Sequence, residues 1–271
     1  MLRDFHVKPR GCGRRTAVRG LLAVLAGLAL VPWPAAAEPG SAYIALVMDD
    51  LGYRLKEGRE TVALPRAVTL GFLPHTPHTP ALAAAAVAEG HEIMLHMPME
   101  ARSGKTLGPG GLTAAMARAD LMGTFRQALD SLPAVAGVSN HMGSLLTTRA
   151  APMGWLMEAM GDYPGLYFVD SRTAGASVAA AAARDHGIPH YTRDVFLDDD
   201  PSPEAIELQL ARLEHKARTR GMALGIGHPY PATLDALNAW LPALDERGIE
   251  LVPVSRLIEL RQHRRLANFE F

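Results

Sequence analysis

The sequence predicts an α/β fold in which parallel strands alternate with crossover helices. Short apolar runs recur at regular intervals after residue 40, and segments with helical features separate them. Two of these segments, residues 79–90 and 202–220, have proline in the first turn, which is typical of a helix start. Repeated alternation of strands and helices favours either a (β/α) barrel or an open, doubly wound sheet.

Eight apolar segments account for the predicted strands. In chain order they are residues 43–48, 67–73, 92–95, 135–139, 166–169, 190–195, 222–226 and 249–253. The predicted helices lie at residues 79–90, 120–132, 177–186, 202–220 and 233–247. No linker or change of composition divides residues 38–271, so we expect a single domain there. The glycine-rich residues 101–111 are predicted to form a loop that flanks a site.

Composition excludes several functional classes. The chain has 271 residues, of which 48% are apolar, too many for a disordered protein. Its formal net charge of −1 offers no basic excess of the kind that nucleic-acid binding requires. A single cysteine, Cys12, can form neither a disulfide framework nor a cysteine-rich zinc site.

Residues 1–37 have the pattern of an export signal. A basic segment precedes eleven uncharged residues, 21–31, and three small residues end at Ala37. The apolar run would span roughly 16 Å as a helix, about half of a bilayer core. We therefore expect cleavage near Ala37, a periplasmic or secreted product and no stable membrane insertion. An uncleaved anchor is the alternative, and export through the Sec or the twin-arginine route stays open.

Cleavage at Ala37 would change the charge of the protein. It would remove six of the 27 basic residues and one of the 28 acidic residues, leaving a net charge of −6. Cys12 would leave with the signal, so the mature domain would contain no cysteine. Such a domain tolerates an oxidising compartment, and any metal site in it must use histidines and carboxylates.

Polar side chains with reactive groups follow the predicted strands. In chain order they are Asp49 and Asp50, His96 with Glu100, Asn140 and His141, Asp170, Asp194 and His228. The carboxyl ends of parallel strands meet at one edge of an α/β sheet, and active sites lie there. We therefore expect these side chains to converge, although the chain separates them widely.

The residue types at this edge predict metal-assisted hydrolysis. Histidine and aspartate from three strand ends can bind an ion of the Zn²⁺ type and leave positions open for water. Asp49 and Asp50 suit a division of roles, with one on the ion and one as a base. Adjacent side chains of a strand point in opposite directions, so both can serve one site only if the chain turns sharply. Leu51 and Gly52 allow such a turn.

One acidic run has a different interpretation. Asp198, Asp199 and Asp200 precede the helix that begins near Ser202, and we expect them to form a solvated loop. A Ca²⁺ site is not supported there, because the spaced pattern of a calcium loop is missing.

Five stretches together carry a family resemblance. They are residues 44–53 (IALVMDDLGY), 90–100 (GHEIMLHMPME), 137–144 (GVSNHMGS), 168–173 (FVDSRT) and 225–231 (GIGHPYP). With them the chain resembles the divergent polysaccharide deacetylase family, a branch of the carbohydrate esterases with the NodB-type fold, over about residues 42–260. The resemblance implies a distorted (β/α) barrel of seven to eight strands and one divalent ion, of the Zn²⁺ type.

The resemblance implies a ligand set with one open position. Asp50 and His96 match two of the family's metal ligands. The usual second histidine, four residues after the first, is replaced by Glu100. The third ligand is therefore either His141, which we prefer for its Asn-His-Met-Gly-Ser context, or Glu100.

The resemblance also implies roles in proton transfer. Asp49 matches the base that takes a proton from water, and His228 matches the acid that protonates the leaving amine. Asp170 is expected to orient His228 or to hold the water. The implied activity is hydrolysis of N- or O-acetyl groups on a carbohydrate.

Two other functions remain open at this point. One is a non-catalytic glycan-binding or envelope-assembly protein that keeps the fold, and the other is a different metallohydrolase, such as an esterase. Aromatic residues make up only 6% of the chain, so a long sugar-stacking groove is not expected. A small or terminal glycan, or a peptidoglycan fragment, fits as well as a polymer.

Overall fold

The computed structural model describes residues 42–267. The predicted signal peptide, residues 1–37, lies outside the described residues. The strands are β1 (Ala42–Leu51), β2 (Thr69–Phe72), β3 (Ile93–Met99), β4 (Val135–Met142), β5 (Tyr167–Asp170), β6 (His190–Thr192), β7 (Val195–Phe196), β8 (Met222–Gly227) and β9 (Ile249–Leu251). The helices are α1 (Leu55–Val62), α2 (Thr79–Ala88), α3 (Arg118–Asp130), α4 (Ala150–Gly161), α5 (Ala179–Asp185), α6 (Pro203–Arg220), α7 (Pro231–Trp240) and α8 (Val254–Ala267).

The strands form one parallel sheet that curls into a distorted barrel. Its order is β6-β5-β4-β3-β2-β1-β8-β7, with β9 added beside β1. Strands β6 and β7 lie at the two ends of this order but belong to one short stretch of chain, which pairs first with β5 and then with β8. Its pairing changes from β5 to β8 at Arg193 and Asp194, so this one stretch of chain lies beside both end strands of the curled sheet. The predicted distorted barrel is confirmed.

Alternate side chains of β1 are buried on opposite faces of the sheet. Ile44, Leu46 and Met48 pack outward with the helices, whereas Ala45 and Val47 point into the barrel. This is the period-two pattern of a strand covered on both sides, and it reads in sequence as an unbroken apolar run. All eight predicted strands are present, and only the segment 190–195 is divided into two.

Three helices, α1, α4 and α8, were absent from the predictions. Helix α1 is short and mostly charged, and it buries only Gly58, Thr61 and Val62. Helix α4 is apolar almost all round, so it lacks the one-sided pattern that marks a surface helix. Helix α7 ends at Trp240 rather than near residue 247, and a 3₁₀ turn that contains Pro242 follows it. Among residues 42–267, no helix combines the length and apolar character needed to cross a membrane.

Candidate active site

A sharp turn at the end of β1 brings two adjacent carboxylates to one cavity. Asp50 has a φ of +61°, and the pairing of β1 with β2 shifts between Met48 and Leu51. Gly52 follows with a φ of +128°, where a Cβ atom would lie 2.0 Å from the Thr76 hydroxyl oxygen. The sequence predicts that both carboxylates can serve one site only through such a turn, and the turn is centred on Asp50 itself. Asp49 and Asp50 both line a cavity of about 450 Å³.

Three strand ends contribute a cluster of possible metal ligands. Asp50 from β1, His96 from β3 and His141 from β4 each offer one atom, and these atoms lie within 4.8 Å of one another. Asp50 Oδ1 lies 3.1 Å from His96 Nε2 and 2.7 Å from His141 Nδ1. The two imidazole rings are nearly perpendicular, with an interplanar angle of 73°. The three donors therefore face a common point.

The polar atoms of this cluster fit a divalent ion. Asp50 Oδ1 is buried and, among the described residues, has no hydrogen bond of good geometry. Burial raises the pKa of Asp50, but the adjacent His141 and His96 hold it well below the usual range of an aspartate. An ionised carboxylate with two imidazoles is a donor set that suits Zn²⁺ and related ions, with further positions left open.

A hydrogen-bond relay behind His96 fixes the orientation of its ring. His96 Nδ1 lies 2.7 Å from Ser139 Oγ, and the Ser139 hydroxyl donates to Asp49 Oδ1 at 3.4 Å. Asp49 Oδ1 also lies 3.2 Å from His96 Nδ1. With Nδ1 protonated toward these oxygens, the lone pair of Nε2 faces Asp50, as a metal ligand requires.

Asp49 retains one oxygen without a partner. Its Oδ2 atom is buried and has no hydrogen bond within residues 42–267, although the residue lines the cavity. Burial raises the pKa of Asp49, and the nearby His96 opposes this effect. The carboxylate is thus anchored through one oxygen and free to accept a proton on the other.

His228 is held from behind by Asp198. His228 Nδ1 lies 2.9 Å from Asp198 Oδ1, and the backbone N–H of His228 donates to Asp198 Oδ2 at 2.6 Å. The Thr233 hydroxyl donates to the same Oδ2 atom at 2.8 Å. On the other side of the ring, His228 Nε2 lies 3.9 Å from Asp50 Oδ2. The ring therefore presents Nε2 to the cavity.

The environment of His228 favours its charged form. Burial lowers the pKa of His228, but the hydrogen bond to Asp198 and the charge of Asp50 outweigh that effect and raise the pKa to about 9. A protonated imidazole at neutral pH can donate a proton, which is the state that the predicted acid needs.

Asp198 corrects the interpretation of the acidic run. Asp199 and Asp200 are exposed, as expected of a solvated loop, but Asp198 is only 3% exposed and fully hydrogen-bonded. The interpretation was wrong for this residue because three adjacent aspartates look alike in sequence. Asp198 lies just beyond β7, at the same edge as the other strand-end residues, and this position could have identified it as a site residue.

Asp170 and Glu100 have contacts outside the cluster. Asp170 Oδ1 accepts from the Arg172 backbone N–H at 2.8 Å, and Oδ2 accepts from the Ser177 hydroxyl at 2.8 Å. Both oxygens thus brace the loop after β5, and the expectation that Asp170 orients His228 was wrong, because Asp198 makes that contact. Glu100 Oε2 accepts from the Ala114 backbone N–H at 2.7 Å, and His141 rather than Glu100 joins Asp50 and His96.

The glycine-rich residues 101–111 lie beside the cavity, as predicted for a flanking loop. Ser103 and Lys105 line the cavity. Arg102 ties the loop to the segment after β4, since its Nε atom donates to the Ser144 carbonyl at 3.1 Å and its backbone N–H donates to the Ser144 hydroxyl at 3.0 Å.

Comparison with known proteins assigns the chain to a family. The profile of the divergent polysaccharide deacetylases matches residues 46–258. The chain belongs to this family. An uncharacterized protein of Haemophilus influenzae is 36% identical over 214 residues, which is 79% of this chain and 76% of that protein.

Two solved structures share the fold of this family member. An uncharacterized protein from Agrobacterium tumefaciens matches with a TM-score of 0.78 at 28% identity, over 83% of this chain and 92% of that chain. A CE4-family pseudoenzyme from Bacillus anthracis matches with a TM-score of 0.50 at 12% identity, over 82% of this chain and 66% of that chain. At 12% identity the second likeness shows the fold alone.

Proposed function

We propose that this protein is a metal-dependent hydrolase that removes N- or O-acetyl groups from a carbohydrate in the periplasm. Family membership supports the reaction class. The proposal rests mainly on the cluster of Asp50, His96 and His141. The same cavity is lined by Asp49, which has contacts through Oδ1 alone among the described residues, and by His228.

The three clustered side chains would hold the ion. A bound Zn²⁺ would polarise the acetyl carbonyl and lower the pKa of water in the cavity. Asp50 supplies the charge, and the relay through Ser139 and Asp49 keeps His96 in the tautomer that leaves Nε2 free.

Asp49 and His228 would move the protons. Asp49 Oδ2 has no hydrogen bond to any described residue, so it can take a proton from the attacking water. His228 can give a proton from Nε2 to the leaving nitrogen or oxygen, and Asp198 stabilises the charged ring until the transfer. Amide or ester hydrolysis needs both transfers, one at each side of the tetrahedral carbon.

The substitution Asp49→Asn tests the proposal. It keeps the size of the side chain but removes the base, so the protein should keep its metal while acetate release falls at least ~10²-fold. Asp200→Asn, in the exposed part of the same acidic run, is the matched control and should behave as wild type. Acetate release is measured with N-acetylated oligosaccharides, and metal content by elemental analysis. Unchanged turnover in Asp49→Asn would remove Asp49 as the base.

A second candidate is a glycan-binding protein without catalysis. Asp49 is only 1% exposed and contacts His96, so a purely positioning role also suits it. In that case wild-type protein would bind oligosaccharides and metal without releasing acetate, and Asp49→Asn would weaken metal binding instead of turnover.

The periplasmic location rests on residues 1–37 and has its own test. Full-length protein expressed in a Gram-negative host should appear in the periplasmic fraction with a new N-terminus near Glu38. A charge in the apolar run, Leu25→Arg, should retain it in the cytoplasm at full length. A full-length product in the membrane fraction would support the uncleaved anchor instead.

A further inference from the structure

The last helix, α8, closes the amino-terminal end of the barrel. Its buried residues Val254, Leu257 and Ile258 belong to the apolar cluster inside the barrel, which also contains Tyr43 and Tyr191. Residues 262–266, in the last turns of the same helix, are exposed. The helix is therefore fixed to the barrel through its first half and leaves its last turns on the outer surface of this end.

Two arginines of α8 lie beside the first residues of β1 and β6. The guanidinium carbon of Arg264 lies 5.8 Å from the ring centre of Tyr43, and that of Arg261 lies 4.6 Å from the ring centre of Tyr191. Arg261 also donates to the His190 carbonyl at 2.6 Å. Because β1 and β6 both start here, these contacts place the two positive charges at the amino-terminal end of the barrel.

The positive charge of α8 is largely uncompensated. None of Arg261, Arg264 and Arg265 forms an ion pair with a carboxylate of residues 42–267. The single glutamate of the helix, Glu259, pairs with Arg256. With four arginines and one glutamate, α8 has a formal charge of +3, although the predicted mature chain has −6.

The surroundings of His190 show how closely these charges lie. Burial lowers the pKa of His190, and the charges of Arg261, Arg265 and Arg184 lower it further. Burial and the charge of Arg265 likewise lower the pKa of Arg261. Like charges that share one surface repel one another, so an anionic partner at this end would relieve the repulsion.

The opposite end of the barrel has the opposite charge. The catalytic cavity lies at the carboxyl ends of the strands, and its lining contains four aspartates, Asp49, Asp50, Asp198 and Asp199, against one lysine, Lys105. The described domain is thus basic at one end and acidic at the other. An extended anionic surface would attract the α8 end and repel the catalytic end.

Two further features favour a lipid bilayer as the anionic partner. Leu266, next to Arg265, is 67% exposed, more than any other exposed large hydrophobic side chain of residues 42–267. Ala42 begins β1 at this end, so residues 1–41, with the apolar run 21–31, are joined to the barrel here. An exposed apolar side chain among arginines is typical of a helix end that contacts the boundary between headgroups and acyl chains.

We propose that the last turns of α8, with Arg264, Arg265 and Leu266, dock on a bilayer that contains anionic phospholipids. Guanidinium groups donate paired hydrogen bonds to phosphate oxygens, and Leu266 enters the headgroup boundary. The docking is peripheral and leaves the catalytic cavity facing away from the bilayer, because the cavity lies at the other end of the strands. It goes beyond the proposed reaction and does not depend on it.

Vesicle binding tests the docking surface. Purified mature protein is mixed with vesicles of phosphatidylcholine, either alone or with about one-third phosphatidylglycerol, and the bound fraction is measured by co-sedimentation. The protein should bind the anionic vesicles only, and added salt should release it. The double variant Arg264→Gln/Arg265→Gln should lower the partition coefficient roughly 30-fold, as expected for two arginines at an anionic surface. Leu266→Ala should lower it about 5-fold.

The matched control removes the same charge from the other end of the barrel. Arg54 and Arg149 are exposed and lie in the segments that follow β1 and β4. Arg54→Gln/Arg149→Gln should therefore bind anionic vesicles as wild type does. Circular dichroism should show that all variants are folded.

Two results would overturn the docking proposal. One is equal binding to neutral and anionic vesicles, or an equal loss in the two double variants. The other is a dimer in analytical ultracentrifugation that Arg264→Gln/Arg265→Gln abolishes, since this would assign the surface to a second copy of the chain. Acetate release from a soluble oligosaccharide should be the same in wild type and Arg264→Gln/Arg265→Gln, so failure of the docking leaves the proposed reaction standing, and the converse also holds.

Discussion

The two ends of the barrel differ in how their buried polar groups are satisfied. At the amino-terminal end of the strands, Glu92 Oε1 accepts from the Thr69 hydroxyl at 3.0 Å, the Tyr167 hydroxyl at 2.7 Å and the Ser255 backbone N–H at 3.2 Å. At the carboxyl-terminal end lie the three buried side-chain atoms that have no hydrogen bond of good geometry within residues 42–267, which are Asp49 Oδ2, Asp50 Oδ1 and Ser171 Oγ.

This difference distinguishes buried polar groups that stabilise the fold from buried polar groups that are left available to a ligand. Leaving a buried polar atom unpaired costs about 1–3 kcal/mol, so a protein keeps such atoms where a ligand or reaction uses them. The Glu92 network instead ties α8 to the barrel floor, and burial together with the charge of Glu92 raises the pKa of Tyr167 well above its ordinary value, so its hydroxyl stays a donor. The Glu92 end therefore satisfies its polar groups internally, whereas the opposite end leaves polar atoms available to a ligand.

The largest expected effect comes from removing a ligand at the carboxyl-terminal end. His96→Ala should lose the bound metal and lower acetate release at least ~10³-fold, because both carbonyl polarisation and water activation need the ion. Elemental analysis and activity assays measure this, and circular dichroism should show a retained fold. His186→Ala, an exposed histidine outside the cavity, is the control. A fully active His96→Ala would refute the assignment of this end to metal chemistry.

At the opposite end, Glu92→Ala should act on stability instead. Removing the shared acceptor leaves the donors of Thr69, Tyr167 and Ser255 without their acceptor, which should cost about 2–4 kcal/mol in the free energy of unfolding. Chemical denaturation measures the loss, and metal content per folded chain should equal that of wild type. Tyr167→Phe should cost less, about 1 kcal/mol, since Glu92 keeps its other donors. If Glu92→Ala lost its metal with unchanged stability, the result would contradict the distinction between the two ends of the barrel.

A substitution of Asp198 tests whether a fully hydrogen-bonded carboxylate at the carboxyl-terminal end contributes to turnover. Asp198→Asn should lower kcat by about 10²-fold, because the neutral amide no longer stabilises the charged His228 ring, while the metal remains bound. Steady-state kinetics and metal analysis measure the two effects. Asp170→Asn has comparable burial but contacts only the loop after β5, so it should mainly reduce stability. Equal kinetic losses in both variants would assign Asp198 a merely structural role.

The smallest effect is expected at Ser171, a residue of the cavity lining whose buried hydroxyl has no hydrogen bond in the part of the chain that the structure describes. Ser171→Ala removes an unsatisfied buried group, so the free energy of unfolding should stay the same or rise by about 0.5 kcal/mol. If the hydroxyl bonds to bound substrate, kcat/KM should fall about 5-fold. A clear loss of stability would mean that this hydroxyl has a structural partner after all.

The strand pattern predicted the parallel α/β sheet and most of the site for one physical reason, whereas the barrel itself was implied by the family resemblance. Strands buried on both faces appear as apolar runs, and the residue after each run marks the carboxyl-terminal edge. That logic identified Asp49, Asp50, His96, His141 and His228 as one group. It could not distinguish Asp170 from Asp198, because both follow strands and only side-chain contacts show which one reaches His228.

Other features depend on information that local patterns lack. The turn at Asp50 requires a left-handed φ at a non-glycine residue, which sequence seldom reveals. Glu92 was predicted only as part of a strand, since its partners Thr69, Tyr167 and Ser255 lie far apart along the chain. Local patterns therefore predicted the site better than the network at the opposite end.

Metal-dependent acetate release tests the central claim most directly. Purified mature protein should contain about one divalent ion per chain and release acetate from an N-acetylated oligosaccharide. A chelator should abolish the release without unfolding the protein, and added Zn²⁺ should restore it. A folded protein that contains no ion, or one that releases acetate equally well after chelation, would contradict the account.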